Sequence, residues 1–436
     1  MTIDTRTLRP GELYFAIKGQ RFDGADFASA ALGAGAGGVV VPRGRGSQLG
    51  GVESGVVLEV DDTVAALQVL AHRVRRESGA TVVAITGSAG KTTTKEVTAE
   101  FLETRYRVVR NRGNFNNHIG LPLSLIELTA RPDVAVVELG MNHAGEIRTL
   151  IGIAEPDVRV WTNVGDAHLE FFASIEDLAD AKAEILEGAT ASSVLVCNAD
   201  DDRIRSRATA FAGRVITFGM ERPATVHASA IVDGGVDGMA AQVSTPHGVV
   251  DVKTPLVGRA NLANVLAAMA VALELGISRS QIAETARRIR PAAHRGEVLR
   301  LSKGITVIDD SYNANPTATR KALDLLSTAN AARRIAVIGE MLELGERSIA
   351  LHEQVGRAAH GRTDVLVAVG GEPAAALARA ARDAGMPRDV VSHFPTIDAA
   401  TEPVLGLLRA GDLVLVKGSR GVRTDRIVDR LKAELA

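Results

Sequence analysis

Residues 81–96 read TVVAITGSAGKTTTKE, an apolar run that passes through two glycines into a lysine and three threonines. A buried strand, a glycine-rich turn and a helix start together direct backbone N–H groups and the positive end of a helix dipole at an anion. We therefore predict a phosphate-binding loop made of Gly87, Ser88, Ala89, Gly90, Lys91, Thr92 and Thr93. The P-loop consensus is only partly met, because Ile85 stands where it has glycine. An ordinary glycine-rich turn beside a surface lysine is the alternative.

Short apolar runs alternate with amphipathic helical patterns along the whole chain, which predicts an α/β protein with mainly parallel sheets. Three blocks can be separated, at residues 1–78, 79–290 and 291–436. Between residues 216 and 257 the apolar runs become short and closely spaced, so that part of the middle block is predicted to be rich in strands. A length of 436 residues suits two or three domains, and we predict three.

Composition excludes several classes of function. The 50 basic and 52 acidic residues nearly cancel, and no basic run of the kind that follows nucleic acid or anionic lipid is present. The N-terminus is polar and no segment reaches the length of a membrane span, so we expect a cytoplasmic protein. Cys197 is the only cysteine, which excludes an internal disulfide and a cysteine-based zinc site.

Three further side chains are candidate functional residues. Glu138 ends the apolar run VAVVE, and His168 follows the run VRVWTNV. Side chains at the carboxyl ends of parallel strands face the crevice where ligands bind, so this pair could hold a divalent ion. A single histidine is nevertheless more often structural. Lys182, in LADAKAEIL, has by itself the pattern of a solvated helical lysine.

The combination resembles the Mur ligases, and within them the branch that adds D-alanyl-D-alanine to UDP-N-acetylmuramoyl-tripeptide. The similarity covers nearly the whole chain. Its segments are DTRTLRPGELYFAIKGQRFDGADF, ITGSAGKTTTKE, GNFNNHIGLPLSL, ELGMNHAGEI, TNVGDAHLEFF, GRANLANVLAA, RGEVLRL, VIDDSYNANP, GEMLELGERS with His352, and VKGSRGVRTDRIVDRL. The resemblance implies an N-terminal uridine-nucleotide domain (1–78), a central ATP-binding P-loop domain (79–290) and a C-terminal Rossmann-like domain (291–436).

The resemblance also implies ATP and two Mg²⁺ ions as cofactors. Lys91 and the loop amides would hold the phosphates, while Thr92, Glu138 and His168 would bind magnesium. Lys182 lies where Mur ligases carry a lysine carbamylated by CO₂, which is a metal ligand. The implied catalytic set is Lys91, Glu138, His168 and Lys182. Further nucleotide contacts would come from Asn261, Arg295 and Asp310.

The substrate-binding residues implied by the resemblance fall in three segments. Thr5, Arg6, Lys18 and Asp23 would bind the uridine diphosphate end of the acid substrate. Those that would face the sugar nucleotide are Asn114, Asn116 and Asn117. In the third block, the segment DDSYNANP contributes Tyr312, Asn313 and Asn315.

The implied reaction converts the carboxylate of the UDP-linked tripeptide to an acyl phosphate, which the amine of D-alanyl-D-alanine attacks to form an amide. We expect a monomer that binds neither nucleic acid nor a membrane. Two alternatives remain open. A paralogue could join another acid and amine, which the short stretch ahead of DTRTLRPGEL favours, because that branch usually carries a further strand and helix there. A nucleotide-binding protein without ligase activity is the other.

Overall fold

The computed structural model of the protein describes residues 1–49, 55–165 and 169–436. The described chain divides into two compact units. The first unit comprises residues 1–84, 106–141 and 145–158, and the second comprises 85–105, 142–144 and 159–436. Within these described ranges, no helix is both long enough and apolar enough to span a bilayer.

The N-terminal segment forms a small parallel sheet with two helices. Its elements are β1 (Leu13–Phe15), α1 (Ala28–Gly33), β2 (Gly38–Pro42), β3 (Val56–Val60) and α2 (Thr63–Ser78). The strands pair in the order β1-β2-β3, and both pairs are parallel. Tyr14, Leu32 and Val39 belong to the buried cluster of this sheet and α1. Asp62 is the N-cap of α2, and its carboxylate accepts from the N–H groups of Val64 and Ala65.

A nine-stranded sheet follows, with the order β12-β11-β10-β9-β8-β7-β4-β6-β5. Its strands and the associated helices are β4 (Thr81–Thr86), α3 (Lys91–Leu102), β5 (Val108–Arg110), α4 (Gly120–Ile126), β6 (Val134–Glu138), α5 (Glu146–Ala154), β7 (Val158–Trp161), α6 (Ile175–Ala183), β8 (Val194–Asn198), α7 (Asp202–Ala208), β9 (Arg214–Gly219), β10 (Val226–Asp233), β11 (Met239–Thr245), β12 (Gly248–Thr254), α8 (Gly258–Glu274) and α9 (Arg279–Ala286).

Pairing in this sheet changes from parallel to antiparallel at its β12 side. The pairs β5–β6, β8–β9 and β9–β10 are parallel, whereas β10, β11 and β12 pair antiparallel. The strands β6 and β7 are buried along their full length, as expected for parallel strands that helices cover on both faces. The strand-rich stretch predicted between residues 216 and 257 is present as β10 to β12.

The third sheet has six strands in the order β13-β14-β18-β15-β16-β17. Its elements are β13 (Glu297–Arg300), β14 (Thr306–Asp310), α10 (Pro316–Thr328), β15 (Arg333–Gly339), α11 (Ser348–Ala359), β16 (Val365–Val369), α12 (Glu372–Asp383), β17 (Val391–Phe394), α13 (Ile397–Leu407), β18 (Asp412–Lys417) and α14 (Asp425–Leu435). Only the pair β13–β14 is antiparallel among the pairs of this sheet. The predicted α/β class with mainly parallel sheets is therefore confirmed.

Two buried clusters cover the faces of this third sheet. One includes Ile308, Leu326 and Leu366, and the other includes Val307, Val414 and Ile427. Neighbouring residues of one strand thus point to opposite faces, and both faces are apolar. Strands β14 and β18 run parallel with Asp310 opposite Lys417, so their carboxyl ends meet at one edge. That edge is where ligands bind in open α/β sheets.

Candidate functional site

The predicted phosphate loop, residues 87–93, follows β4, runs into the start of α3 and belongs to the second unit. Gly87 has φ 151° and Gly90 has φ 79°, both of which disfavour any residue with a Cβ atom. Space forbids a side chain as well, since a Cβ on Gly87 would lie 2.0 Å from Thr162 Oγ1 and one on Gly90 would lie 2.2 Å from Asn264 Oδ1. Helix α3 then starts at Lys91. The two glycines therefore allow the loop to pass close to its neighbours.

Asn163 holds the loop from the end of strand β7. Its backbone carbonyl accepts from Ser88 N–H at 3.0 Å. Its side chain makes a reciprocal pair with Ala89, accepting from the N–H at 2.9 Å and donating to the carbonyl at 2.9 Å. The amides of Ser88 and Ala89, predicted as phosphate ligands, are thus occupied by Asn163 in this structure. The first turn of α3 is the part of the loop whose N–H groups lack intrahelical acceptors, which is where anions bind.

Two lysines of this region are buried to different degrees. Lys91 Nζ donates to the carbonyl of Gly87 at 2.8 Å and is half-buried. Lys182 is only 1% exposed, so the solvated lysine indicated by its helical pattern alone is wrong. Burial lowers the pKa of the Lys182 ammonium well below its usual range, and the nearby charge of Lys91 lowers it further. Burial therefore favours the neutral amine of Lys182 over the ammonium.

A short chain of side-chain amides connects helix α8 with the phosphate loop. Asn261 Nδ2 donates to the carbonyl of Val257 at 2.9 Å, and Asn261 Oδ1 accepts from Asn264 at 3.2 Å. Asn264 Oδ1 in turn accepts from the hydroxyl of Thr94 on α3 at 3.3 Å. Asn261, a predicted nucleotide contact, is therefore fixed by the same helix that packs against Gly90.

The third sheet brings Arg295 and Tyr312 together. The guanidinium carbon of Arg295 lies 4.0 Å from the centre of the Tyr312 ring, and that of Arg420 lies 5.7 Å from the same ring. At the neighbouring strand ends, Lys417 Nζ donates to Asp310 at 2.6 Å and to the carbonyl of Asn313 at 3.0 Å. Cationic and aromatic groups therefore gather at the edge where β14 and β18 end.

The side chains of two predicted substrate-binding asparagines accept hydrogen bonds from nearby backbone N–H groups. Asn315 is the N-cap of α10, because its Oδ1 accepts from Ala318 N–H at 2.8 Å. Asn313 Oδ1 accepts from Ala314 N–H at 2.9 Å. His352, which the sequence could not assign between a structural and a substrate-binding role, is fully buried. Its Nε2 accepts from Met341 N–H at 2.9 Å, and its Nδ1 lies 2.7 Å from the carbonyl of Ser348.

In the first unit, Glu138 lies at the buried end of β6 and is held by two asparagines. Asn116 Nδ2 donates to Glu138 Oε1 at 2.8 Å. Asn111 accepts from Glu138 N–H at 2.9 Å and donates to its carbonyl at 3.3 Å. Asn117 Oδ1 accepts from the N–H of Gly120, the first residue of α4, at 2.8 Å, and the carbonyl of Asn114 accepts from Asn116 N–H. The structure thus brings Asn116 and Glu138 together, and it adds Asn111, which sequence reasoning missed.

The predicted uridine-nucleotide residues lie in the same unit, around the start of the chain. Arg6 is mostly exposed and pairs with Asp4 at 2.6 Å, and this hydrogen bond lowers the pKa of Asp4 to about 2. Asp23 caps a short 3-10 helix by accepting from Ala25 N–H at 2.9 Å. Lys18 is exposed and forms an isolated antiparallel bridge with Asp23, whereas Thr5 lies half-buried in the first turn.

The predicted metal ligands do not include a ready-made cluster. Across the described ranges, His, Cys, Asp and Glu side chains form no group of three or more that could hold a metal ion. The predicted set relies instead on Thr92, Glu138 and a modified Lys182, and His168 lies outside the described residues. Hydroxyl and carboxylate oxygens are donors that Mg²⁺ prefers, and a carbamate would add two more.

Comparison with known proteins identifies the family. Residues 85–272 match the Mur ligase middle domain, 294–420 match the Mur ligase glutamate ligase domain, and 1–76 match the Mur ligase family catalytic domain. A relative from Bacillus subtilis is 33% identical over 433 residues, covering 98% of this chain and 92% of the relative. The chain is a Mur ligase. That relative is named UDP-N-acetylmuramoyl-tripeptide–D-alanyl-D-alanine ligase, as is one from Escherichia coli that is 35% identical over 99% of this chain and 93% of its own length.

Solved structures place this Mur ligase beside MurF. The crystal structure of MurF from Acinetobacter baumannii has a TM-score of 0.88 at 31% identity, covering 99% of this chain and 92% of that one. MurF from Thermotoga maritima in complex with ADP has a TM-score of 0.87 at 28% identity, covering 99% of this chain and 97% of that one. The three-domain architecture predicted for this Mur ligase is therefore confirmed.

Proposed function

We propose that this Mur ligase is an ATP-dependent acid–amino-acid ligase that adds D-alanyl-D-alanine to UDP-N-acetylmuramoyl-tripeptide in the synthesis of peptidoglycan precursors. The observation that carries the proposal is the full-length similarity to relatives of that name, with coverage of 98% and 99% of this chain. The products are the UDP-linked pentapeptide, ADP and phosphate. We expect the reaction to take place in the cytoplasm.

The reaction begins with activation of a carboxylate. Because a carboxylate is a poor acylating agent, the γ-phosphoryl group of ATP is transferred to it, and the acyl phosphate then accepts the amine. Phosphoryl transfer depends mainly on positioning and on neutralising charge. Lys91 and the first turn of α3 are suited to hold the phosphates, because a lysine and a helix start both favour an anion. Asn163 and the two loop glycines keep that helix start in place.

The state of Lys182 supports the proposed carbamate. Only a neutral amine reacts with CO₂, and burial shifts the Lys182 side chain towards the neutral amine. The carbamate turns a cation into an oxygen donor in a region that already holds Lys91. With Thr92, Glu138 and His168 it would hold Mg²⁺, which when bound supplies charge neutralisation for phosphoryl transfer.

The substrates are assigned to the three predicted domains. We place the uridine diphosphate at residues 1–78, with Thr5, Arg6, Lys18 and Asp23. The central domain, 79–290, would hold ATP and meet the sugar through Asn114, Asn116 and Asn117. The C-terminal domain, 291–436, would complete the nucleotide site with Arg295 and Asp310, and Tyr312, Asn313 and Asn315 would lie towards the substrates.

Phosphate release tests the proposal. The enzyme is given ATP and Mg²⁺ with UDP-muramyl tripeptide and D-alanyl-D-alanine, first separately and then together, and Lys91→Ala serves as the inactive control. We expect release only with both substrates, and a pentapeptide product by mass. Binding of ATP without release would instead favour a paralogue for other substrates or a nucleotide-binding protein, and a screen of other acids and amines would separate those two.

A further inference from the structure

His294 has a backbone conformation that is unusual for a residue with a side chain. Its φ is 62°, in the left-handed region, which costs a non-glycine residue free energy unless local contacts hold it there. It directly precedes Arg295 in the segment that leads into β13. We therefore expect contacts around His294 that stabilise this left-handed backbone.

A buried carboxylate provides one. His294 Nδ1 lies 2.8 Å from Oδ2 of Asp309, whose side chain is completely buried at the end of β14. The other carboxylate oxygen accepts from Ser311 Oγ at 2.5 Å and from Ser311 N–H at 3.2 Å. Both oxygens of Asp309 are thus used, and a buried carboxylate with fixed partners is a rigid anchor.

The backbone repeats the connection between these two segments. The carbonyl of His294 accepts from Tyr312 N–H at 3.1 Å, and the carbonyl of Asp309 accepts from Gly296 N–H at 2.9 Å. Residues on both sides of Arg295 are therefore tied to the segment that carries Tyr312. The Arg295 guanidinium lies over the Tyr312 ring at 4.0 Å, a distance typical of a cation–π contact.

We infer that His294 and Asp309 are positioning residues, which hold the left-handed turn and thereby fix the Arg295 guanidinium on the Tyr312 ring in the nucleotide site. The inference rests on the proposed function, because Arg295 is there assigned to the nucleotide. Arg295 has a long flexible side chain, so its direction depends on where the backbone starts and on the ring that supports it. The His294–Asp309 contact fixes the backbone from which the Arg295 side chain starts. The adjacent Tyr312 provides the ring that supports the guanidinium.

The experiment compares His294→Ala with His294→Asn. Asparagine tolerates the left-handed conformation and can donate from its amide to Asp309, whereas alanine does neither. Lys303→Ala is the matched control, because Lys303 also has a left-handed backbone, with φ 58°, but is exposed and lies outside the site. For each variant, the affinity for a non-hydrolysable ATP analogue is measured by calorimetry, and kcat/KM for ATP is measured by steady-state kinetics. In addition, Arg295→Ala is combined with His294→Ala in a double-mutant cycle.

We expect His294→Ala to lower kcat/KM for ATP by about 100-fold, the effect of a misplaced contact group. His294→Ala should also weaken binding of the analogue. His294→Asn should restore most of the kcat/KM for ATP and most of the affinity for the analogue. Lys303→Ala should change neither quantity. In the Arg295→Ala background the His294→Ala change should have little further effect, because the two act through one contact. Additive losses in the cycle would overturn the inference, as would unchanged binding in folded His294→Ala. If the wild type binds the analogue but does not join the wall substrates, the proposed function fails while the positioning role is still tested by binding.

Discussion

Replacement of Asn163 by alanine is expected to disturb the phosphate loop more than the fold. The substitution removes the acceptor of Ala89 N–H and one donor to the carbonyl of Ala89, both at 2.9 Å. The carbonyl keeps a second donor, Thr162 Oγ1, at 3.0 Å. The loss therefore falls mainly on one half-buried N–H group, which costs about 1–3 kcal/mol when left without a partner. We predict a decrease of that size in the free energy of unfolding.

In Asn163→Ala, the kcat/KM for ATP should fall by more than the loss in the free energy of unfolding would explain. Without Asn163 the Ala89 peptide can rotate, and displacement of the loop start by about 1 Å corresponds to about a 100-fold loss in kcat/KM for ATP. Asn198→Ala is a matched control, because Asn198 also makes one donated and one accepted bond to backbone, to Thr162 O at 3.0 Å and from Asp200 N at 2.9 Å. It lies on the next strand and does not touch the loop.

Urea unfolding and steady-state kinetics on both variants separate the two effects. The expected result is a similar loss of stability in both, with a large fall in kcat/KM for ATP only in Asn163→Ala. If the two variants lose the same activity, the loop does not depend on Asn163 and the reasoning is refuted.

Three other substitutions test further residues of the protein. Lys182→Met should abolish turnover; in CO₂-depleted buffer it should also raise the free energy of unfolding below the ordinary lysine pKa, because burial lowers the pKa of Lys182 and the unfolded state therefore binds a proton more readily. That difference should shrink as pH rises towards the ordinary lysine pKa of 10.5, which urea midpoints at several pH values can follow. Gly90→Ala should lose about 1–3 kcal/mol of stability and most ATP binding, because its Cβ would strike Asn264 in a left-handed turn; calorimetry and unfolding would test this. His352→Ala should lower Tm without changing the KM of any substrate, since both ring nitrogens face backbone such as Met341 N–H; a selective rise in one KM would contradict the structural role.

The sequence predicted those structural elements whose determining residues lie close together along the chain. The strand–glycine–helix around Lys91 was predictable because apolar runs, glycines and the helix start all lie within one short segment. The full-length relatives agree with the family and with the ligase function predicted from the sequence. The predicted roles of individual site residues stay predictions, and His168 lies outside the described residues.

Contacts between distant segments were not predictable in the same way. Asn163 and Asn111 each follow a strand end, but their partners in the loop and at Glu138 lie far away in sequence. The burial of Lys182 likewise depends on tertiary packing, because its helix alone has the pattern of a solvated face. Asn315 is a different case, since asparagine directly before proline is a typical N-cap signal that the sequence already contained.

We propose that the carboxylate of the UDP-linked tripeptide is activated by the γ-phosphoryl group before the amine attacks. The most direct measurement uses tripeptide whose terminal carboxylate is labelled with heavy oxygen, with ATP, Mg²⁺ and D-alanyl-D-alanine. An acyl phosphate predicts that each phosphate released carries one labelled oxygen, while the pentapeptide amide keeps the other. Unlabelled phosphate released together with pentapeptide would contradict carboxylate activation, and labelled phosphate without pentapeptide would contradict the proposed acceptor.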